Sequence, residues 1–187
     1  KTAICSQICN ELSSTLNIKF QNMIIKGPVI SRDDLLCPFP EIKDNSRKFA
    51  MLFSDFIPRD VDSYGLFVID EFARADHNLQ QLLWQIQNEN KIHTYDFPKG
   101  WFIICLDNPD DEEYSMNYLE DAAGLRRSTH IYCELSLRAF LTHAKSSGFH
   151  QIVTDFIETN PNMLYDFESQ RLGRVYSNPA SWERASN

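Results

Sequence analysis

The chain has 187 residues, 43% of them hydrophobic, and a formal net charge of −8. That is enough apolar material for one sizeable core and the start of a second small domain. The acidic balance excludes a non-specific nucleic-acid binder, which relies on a basic surface to displace counterions. No apolar run reaches the roughly 18–20 residues of a membrane span. Cys5, Cys9, Cys37, Cys105 and Cys133 are odd in number and contain no C-x-x-C pair, which reads as the reduced thiols of a cytoplasmic protein.

Ile4, Ile8, Leu12 and Leu16 recur every fourth residue, predicting an amphipathic first helix with that stripe as its apolar face. A short strand is expected at 18–25. Gly27, Pro28, Pro38, Pro40 and Pro58 then interrupt the pattern, so 26–62 reads as long connections with short helical pieces near Asp33 and Lys48. "LFVID" and "WFIICLD" are continuous apolar runs of strand length, as expected for central parallel strands covered on both faces. Between them Leu79, Leu82, Leu83 and Ile86 form one apolar helix face, and "NKIHTYDFPKG" suggests a short hairpin. "THIYCEL" is expected as a third strand, followed by helices at 137–146 and 150–158. Strand alternating with helix is the doubly wound α/β pattern.

The chemistry lies where the apolar runs end. "LFVI" runs into Asp70 and Glu71, and the second run ends in Asp107 and Asn108. Open parallel sheets bind ligands beyond the carboxyl ends of their strands. Two neighbouring strands thus deliver Asp, Glu and Asn to one edge. In a phosphate-hydrolysing site one carboxylate holds the magnesium shell, the next activates water, and an amide orients that water. Nothing like G-x-x-x-x-G-K-[ST] occurs inside the chain, but Lys1 and Thr2 stand ahead of the first helix, as the last residues of such a loop do. The chain opens without Met and reads as a fragment whose phosphate loop lies upstream. The acids Asp107, Asp110, Asp111, Glu112 and Glu113 read as a solvated loop, the five scattered histidines give no zinc spacing, and Trp84, Trp101 and Trp182 read as packing residues.

These segments also resemble a known family. "GLFVIDEFARAD", "LQQLLWQIQNENKIHTYDFPKGWFIICLDNPDD", "GLRRSTHIYCEL" and "YSNPASWERASN" resemble, in order and spacing, the Walker B, helix–hairpin–sensor-1, arginine-loop and lid segments of AAA+ ATPases of the MoxR branch. The resemblance implies a P-loop NTPase α/β core of three layers with a mostly parallel sheet over 1–135, lacking its first strand and glycine-rich loop, and the start of a helical lid over 136–187. By the same resemblance Lys1 would contact the β- and γ-phosphates of ATP, Thr2 would ligate magnesium (Mg2+), and Asp70 would hold the metal's water shell. Glu71 would be the general base and Asn108 sensor 1. Arg127 or its neighbour Arg126 would be the finger that reaches a neighbouring subunit's site. Ala180 occupies the position where the family has its sensor-2 arginine, and Ser128 stands where a Phe is usual. The implied activity is ATP hydrolysis in a homo-oligomeric ring, a hexamer in this family, with chaperone-like remodelling and a von Willebrand A-type protein partner.

Two other classes remain open on the residues alone. One is a non-catalytic interaction module that keeps the fold without turnover. The other is a magnesium-dependent nuclease using Asp70, Glu71 and Asp107, which leaves the arginine and "PASWE" segments unexplained.

Overall fold

A computed structural model describes residues 2–43, 46–107, 128–166, 172 and 176–186. The chain divides into two compact units, 1–128 and 129–187. In chain order the first unit contains α1 (Thr2–Leu16), β1 (Phe20–Lys26), α2 (Arg32–Leu35), β2 (Leu36–Lys43), β3 (Ser46–Phe53), β4 (Tyr64–Asp70), a 3-10 turn (Phe72–Arg74), α3 (His77–Glu89), β5 (Lys91–Ile92), β6 (Tyr95–Asp96) and β7 (Gly100–Leu106).

The unit is α/β: β1, β4 and β7 make a parallel sheet in that order, flanked by helices. β4 is the central strand, with Leu66 to Ile69 all buried, because a strand paired on both sides and covered on both faces must be apolar throughout. Its alternation divides the core. Phe67 and Ile69 join Leu79, Leu83 and Ile86 of α3, whereas Leu66 and Val68 join Cys5 and Cys9 of α1. Gly65 lets the strands close up, since a Cβ there would stand 2.7 Å from the Gln21 carbonyl oxygen and 2.8 Å from the Trp101 ring. The Trp101 indole donates to Ser63 Oγ at 2.8 Å within this packing.

α1 ends where Asn17 turns left-handed at φ 52. α3 starts at Asp76, whose carboxylate accepts from the Asn78 and Leu79 amides, and stops at left-handed Asn90. β5 and β6 form the expected small hairpin.

Three expectations are corrected. First, α1 packs through Cys5 and Cys9, while Ile4 (44% exposed), Ile8 (38%) and Leu16 face outward. The two small thiols let the helix lie close on the sheet, and the isoleucines fall one position off the buried line. Second, no helix forms near Lys48: β2 and β3 pair antiparallel from Leu36↔Phe53 to Lys43↔Ser46. Pro38 and Pro40 are tolerated because a two-stranded ribbon leaves each strand an open side, where a missing N–H costs no ladder bond. Third, "THIYCEL" is not a strand. Ile131 and Tyr132 are more than 80% exposed, and none of the described strands pairs with this segment, so its backbone has no ladder to join.

In the second unit, α4 (Leu137–Ser146) and α5 (Gln151–Thr159) bury Phe140, Ala144, Ile157 and Leu164 together, with Trp182 of α6 (Pro179–Ser186) packed against them. The Trp182 indole donates to the Met163 carbonyl at 2.9 Å. Asn178 starts α6 by accepting from the Ser181 amide at 2.9 Å. No helix among the described residues is long and apolar enough to cross a membrane.

Candidate active site at the carboxyl edge of the sheet

Alternation along β4 puts Asp70 on the same face as Leu66 and Val68, the face covered by α1. α1 runs against the strands, so its amino end lies at their carboxyl edge. There Thr2 Oγ1 donates to Asp70 Oδ2 at 2.8 Å, joining residues 68 positions apart in sequence. The first amides of a 15-residue helix have no partners within the helix. They and the helix dipole favour an anion at this edge.

Glu71 follows at φ 54, ψ 45, the left-handed region. A residue with a Cβ adopts that conformation at a cost and only where its surroundings impose it. Its carboxylate meets Arg74 Nη1 at 3.1 Å, with both side chains about half exposed, so the pair is a weak surface contact that leaves the carboxylate accessible.

The turn after Glu71 is held from three directions. Gly27 donates its amide to the Asp70 carbonyl at 2.8 Å, and a Cβ at Gly27 would stand 2.8 Å from the Glu71 carbonyl oxygen, so only glycine fits there. From the end of β7, Asp107 Oδ1 accepts from the Ala73 amide at 2.8 Å. From α3, the buried Gln80 Nε2 donates to the carbonyls of Phe72 (3.4 Å), Ala73 (3.1 Å) and Ala75 (3.0 Å).

Of the residues singled out in the sequence, Thr2 and Asp70 are brought into contact and Glu71 adjoins them. Lys1, Asn108, Arg126 and Arg127 lie outside the described residues, as do Asp110, Asp111, Glu112 and Glu113. Gln80, Gly27 and Arg74 were not anticipated. Gln80 had a visible signal: it sits beside Leu79 and three positions before Leu83 on the apolar side of α3, where a polar side chain must find partners.

A hydroxyl and a carboxylate in contact, beside a second carboxylate and a helix amino end, are hard oxygen donors with a seat for an anion. Magnesium keeps several waters and takes one or two protein ligands together with substrate phosphates, and Thr2 with Asp70 fits that demand. Among the described residues no three His, Cys, Asp or Glu side chains gather into a metal cage, so the phosphates and waters would complete the shell. Burial, helped by the nearby Asp107 charge, pushes the Cys105 thiol up to about 12. It therefore stays protonated at neutral pH and is no nucleophile.

No family model matches the chain. Over 135 residues it is 27% identical to a protein of Borreliella afzelii (strain PKo) named DNA mismatch repair protein MutL. The alignment covers 71% of this chain but spans only 21% of the length of that relative.

Proposed function

We propose that the chain is the nucleotide-binding part of an AAA+ ATPase of the MoxR branch, which binds ATP with magnesium and hydrolyses it in a cytoplasmic ring. The observation that carries this reading is the Thr2–Asp70 hydrogen bond at a helix amino end on the carboxyl edge of a parallel sheet. Threonine after a phosphate-loop lysine and aspartate at a strand end meet in that way where both serve one nucleotide-bound metal. The order of strands and the motif sequence beyond β4 agree with it.

In this reading Lys1 and the amides opening α1 hold the phosphates, while Thr2 and Asp70 hold the metal. Bound magnesium supplies charge neutralisation on the phosphates. Glu71 accepts a proton from water as the water oxygen attacks the γ-phosphorus. The bond to the ADP oxygen breaks, and ADP and phosphate leave. Asn108 orients the water. Arg126 or Arg127 of a neighbouring subunit stabilises the transferring group, which places the site between protomers of a homo-oligomeric, hexameric ring. Residues 136–187 act as the lid, and remodelling of a protein substrate with a von Willebrand A-type partner follows from the family likeness.

The test is turnover. With a glycine-rich loop and its strand ahead of Lys1, magnesium-dependent ATP hydrolysis is expected, and Glu71→Gln is expected to bind ATP while turnover falls about 10²- to 10⁴-fold. Unchanged turnover in that variant removes Glu71 as the base. ATP binding without any turnover favours the non-catalytic interaction module instead. The likeness to the MutL protein favours a second reading, a part in DNA mismatch repair. A DNA gel-shift assay tests it, and the net charge of −8 predicts a weak shift that disappears with added salt.

A further inference from the structure

Among the described residues the most completely engaged buried polar side chain is not at the sheet edge but one turn inside α3. Gln80 is 2% exposed, and its amide nitrogen faces the carbonyls of Phe72, Ala73 and Ala75 together. Those three carbonyls belong to the turn that follows left-handed Glu71. Asp107 accepts from the Ala73 amide of the same turn. The turn thus has three carbonyls tied by one side chain and an amide by another. Both anchors sit on elements whose apolar residues are part of the core, α3 and the end of β7.

We propose that Gln80 and Asp107 are positioning residues for Glu71: they hold the 71–75 turn in the conformation that aims the Glu71 carboxylate over the sheet edge. This rests on the ATPase reading above and extends it to residues that touch neither nucleotide nor metal. The left-handed backbone at Glu71 costs free energy because Glu71 carries a Cβ where a glycine would adopt the same conformation freely. The Gly27 amide on the Asp70 carbonyl holds the chain just before this turn, and the bonds from Gln80 and Asp107 hold it just after. Arg74 meets the Glu71 carboxylate at 3.1 Å in a half-exposed pair, a contact that contributes little in water. A misplacement of a catalytic group by about 1 Å costs on the order of 10²-fold in rate, so loosening the turn should lower turnover without disturbing nucleotide binding at Thr2 and Asp70.

Gln80→Met keeps the length and removes the donor, whereas Asp107→Asn keeps an oxygen that accepts from the Ala73 amide and Asp107→Leu does not. In the full-length protein Gln80→Met and Asp107→Leu are expected to lower kcat about 10- to 100-fold with KM for ATP within about twofold, and Asp107→Asn to remain near wild type. In the same proteins, hydrogen exchange at the Phe72–Ala75 amides should quicken in Gln80→Met and Asp107→Leu while exchange in β4 stays unchanged. Unaltered exchange at 72–75 overturns the proposal whatever the activity. So does a kcat that is normal once corrected for the folded fraction, or an equal loss in Asp107→Asn and Asp107→Leu. Failure of the underlying reading shows differently: wild-type protein with no turnover but with the predicted exchange pattern removes the ATPase and the catalytic consequence, and keeps only the restraint of the turn.

Discussion

The two faces of the central sheet are built from different materials. Under α3, Phe67 and Ile69 meet Leu79, Leu83 and Ile86, all fully buried, and Phe72, Trp84 and Phe97 extend the packing through edge-on ring contacts. Under α1 the buried set is Cys5, Cys9, Leu66 and Val68, while Phe102 of β7 remains 62% exposed. Burial of apolar area is the main stabilising contribution, so the α3 face holds the fold. The α1 face holds something else: the helix whose first residue bonds to Asp70. The restraints on the sheet edge divide in the same way. Glu71 is positioned from the rigid side through Gln80 of α3, and Asp70 is met from the lighter side by Thr2 of α1.

The most damaging way to break this asymmetry is to empty the α3 face. Phe67→Ala removes a fully buried ring that stacks edge-on against Phe97 at 5.3 Å. It should lower stability by about 3–5 kcal/mol, read as a shift of the urea midpoint without change in slope. A loss under about 1 kcal/mol would mean that this face collapses around the hole and that the two faces are more alike than their packing indicates.

The cysteines report on the faces at smaller amplitude. Cys105 lies half-buried against the α3-side core, Cys5 and Cys9 are buried under α1, and Cys37 and Cys133 are exposed. Pulsed alkylation followed by mass spectrometry should modify Cys37 and Cys133 first, the half-buried Cys105 more slowly because its thiol stays protonated, and Cys5 and Cys9 only through local opening of α1. Cys5 or Cys9 labelling as fast as Cys37 would place the thiols of α1 outside the core. The sign of the pH effect follows from proton counting. Native Cys105 holds its proton up to about 12, while the same thiol in the unfolded chain releases it near about 8.5. Over that interval the native state binds more protons, so stability is full below about 8.5 and falls as pH rises through the window. Cys105→Ser should flatten that decline.

Much of this was legible in the sequence, and what was not has identifiable causes. β4 and α3 announce themselves because a doubly covered strand has to be apolar at every position and a half-covered helix at one face, whereas β7, with the same apolar run, lies at the edge of the described sheet with Phe102 62% exposed. Asp70 and Glu71 stand out because they end such a strand. The β2–β3 hairpin was hidden by Pro38 and Pro40, which argue against a central strand but not against a ribbon open on both sides. "THIYCEL" carries a strand's composition without a strand beside it, and pairing is not written into one segment. Thr2 and Asp70 are named together through the motif resemblance, but their direct hydrogen bond and the partners of Gln80 are tertiary contacts that no local pattern specifies.

The smallest expected effect concerns which face of α1 is buried. The four-residue spacing of Ile4, Ile8, Leu12 and Leu16 points to an inward stripe, yet the buried positions are Cys5 and Cys9, one residue on. If that placement holds, Ile8→Ser removes a side chain that is 38% exposed and should change stability by no more than about 0.5 kcal/mol, the usual range for surface substitutions. Cys9→Ser at the neighbouring position sets a hydroxyl into an apolar pocket where the thiol now reaches the Gln21 carbonyl at 3.3 Å. It should cost more, about 1 kcal/mol or above, because a buried polar atom is tolerated only to the extent that it is bonded. The order of the two variants in a thermal melt decides the question: Cys9→Ser below Ile8→Ser places the thiols inward, and the reverse order would restore the isoleucine stripe to the core and make α1 a heavier contributor to the fold than its packing implies.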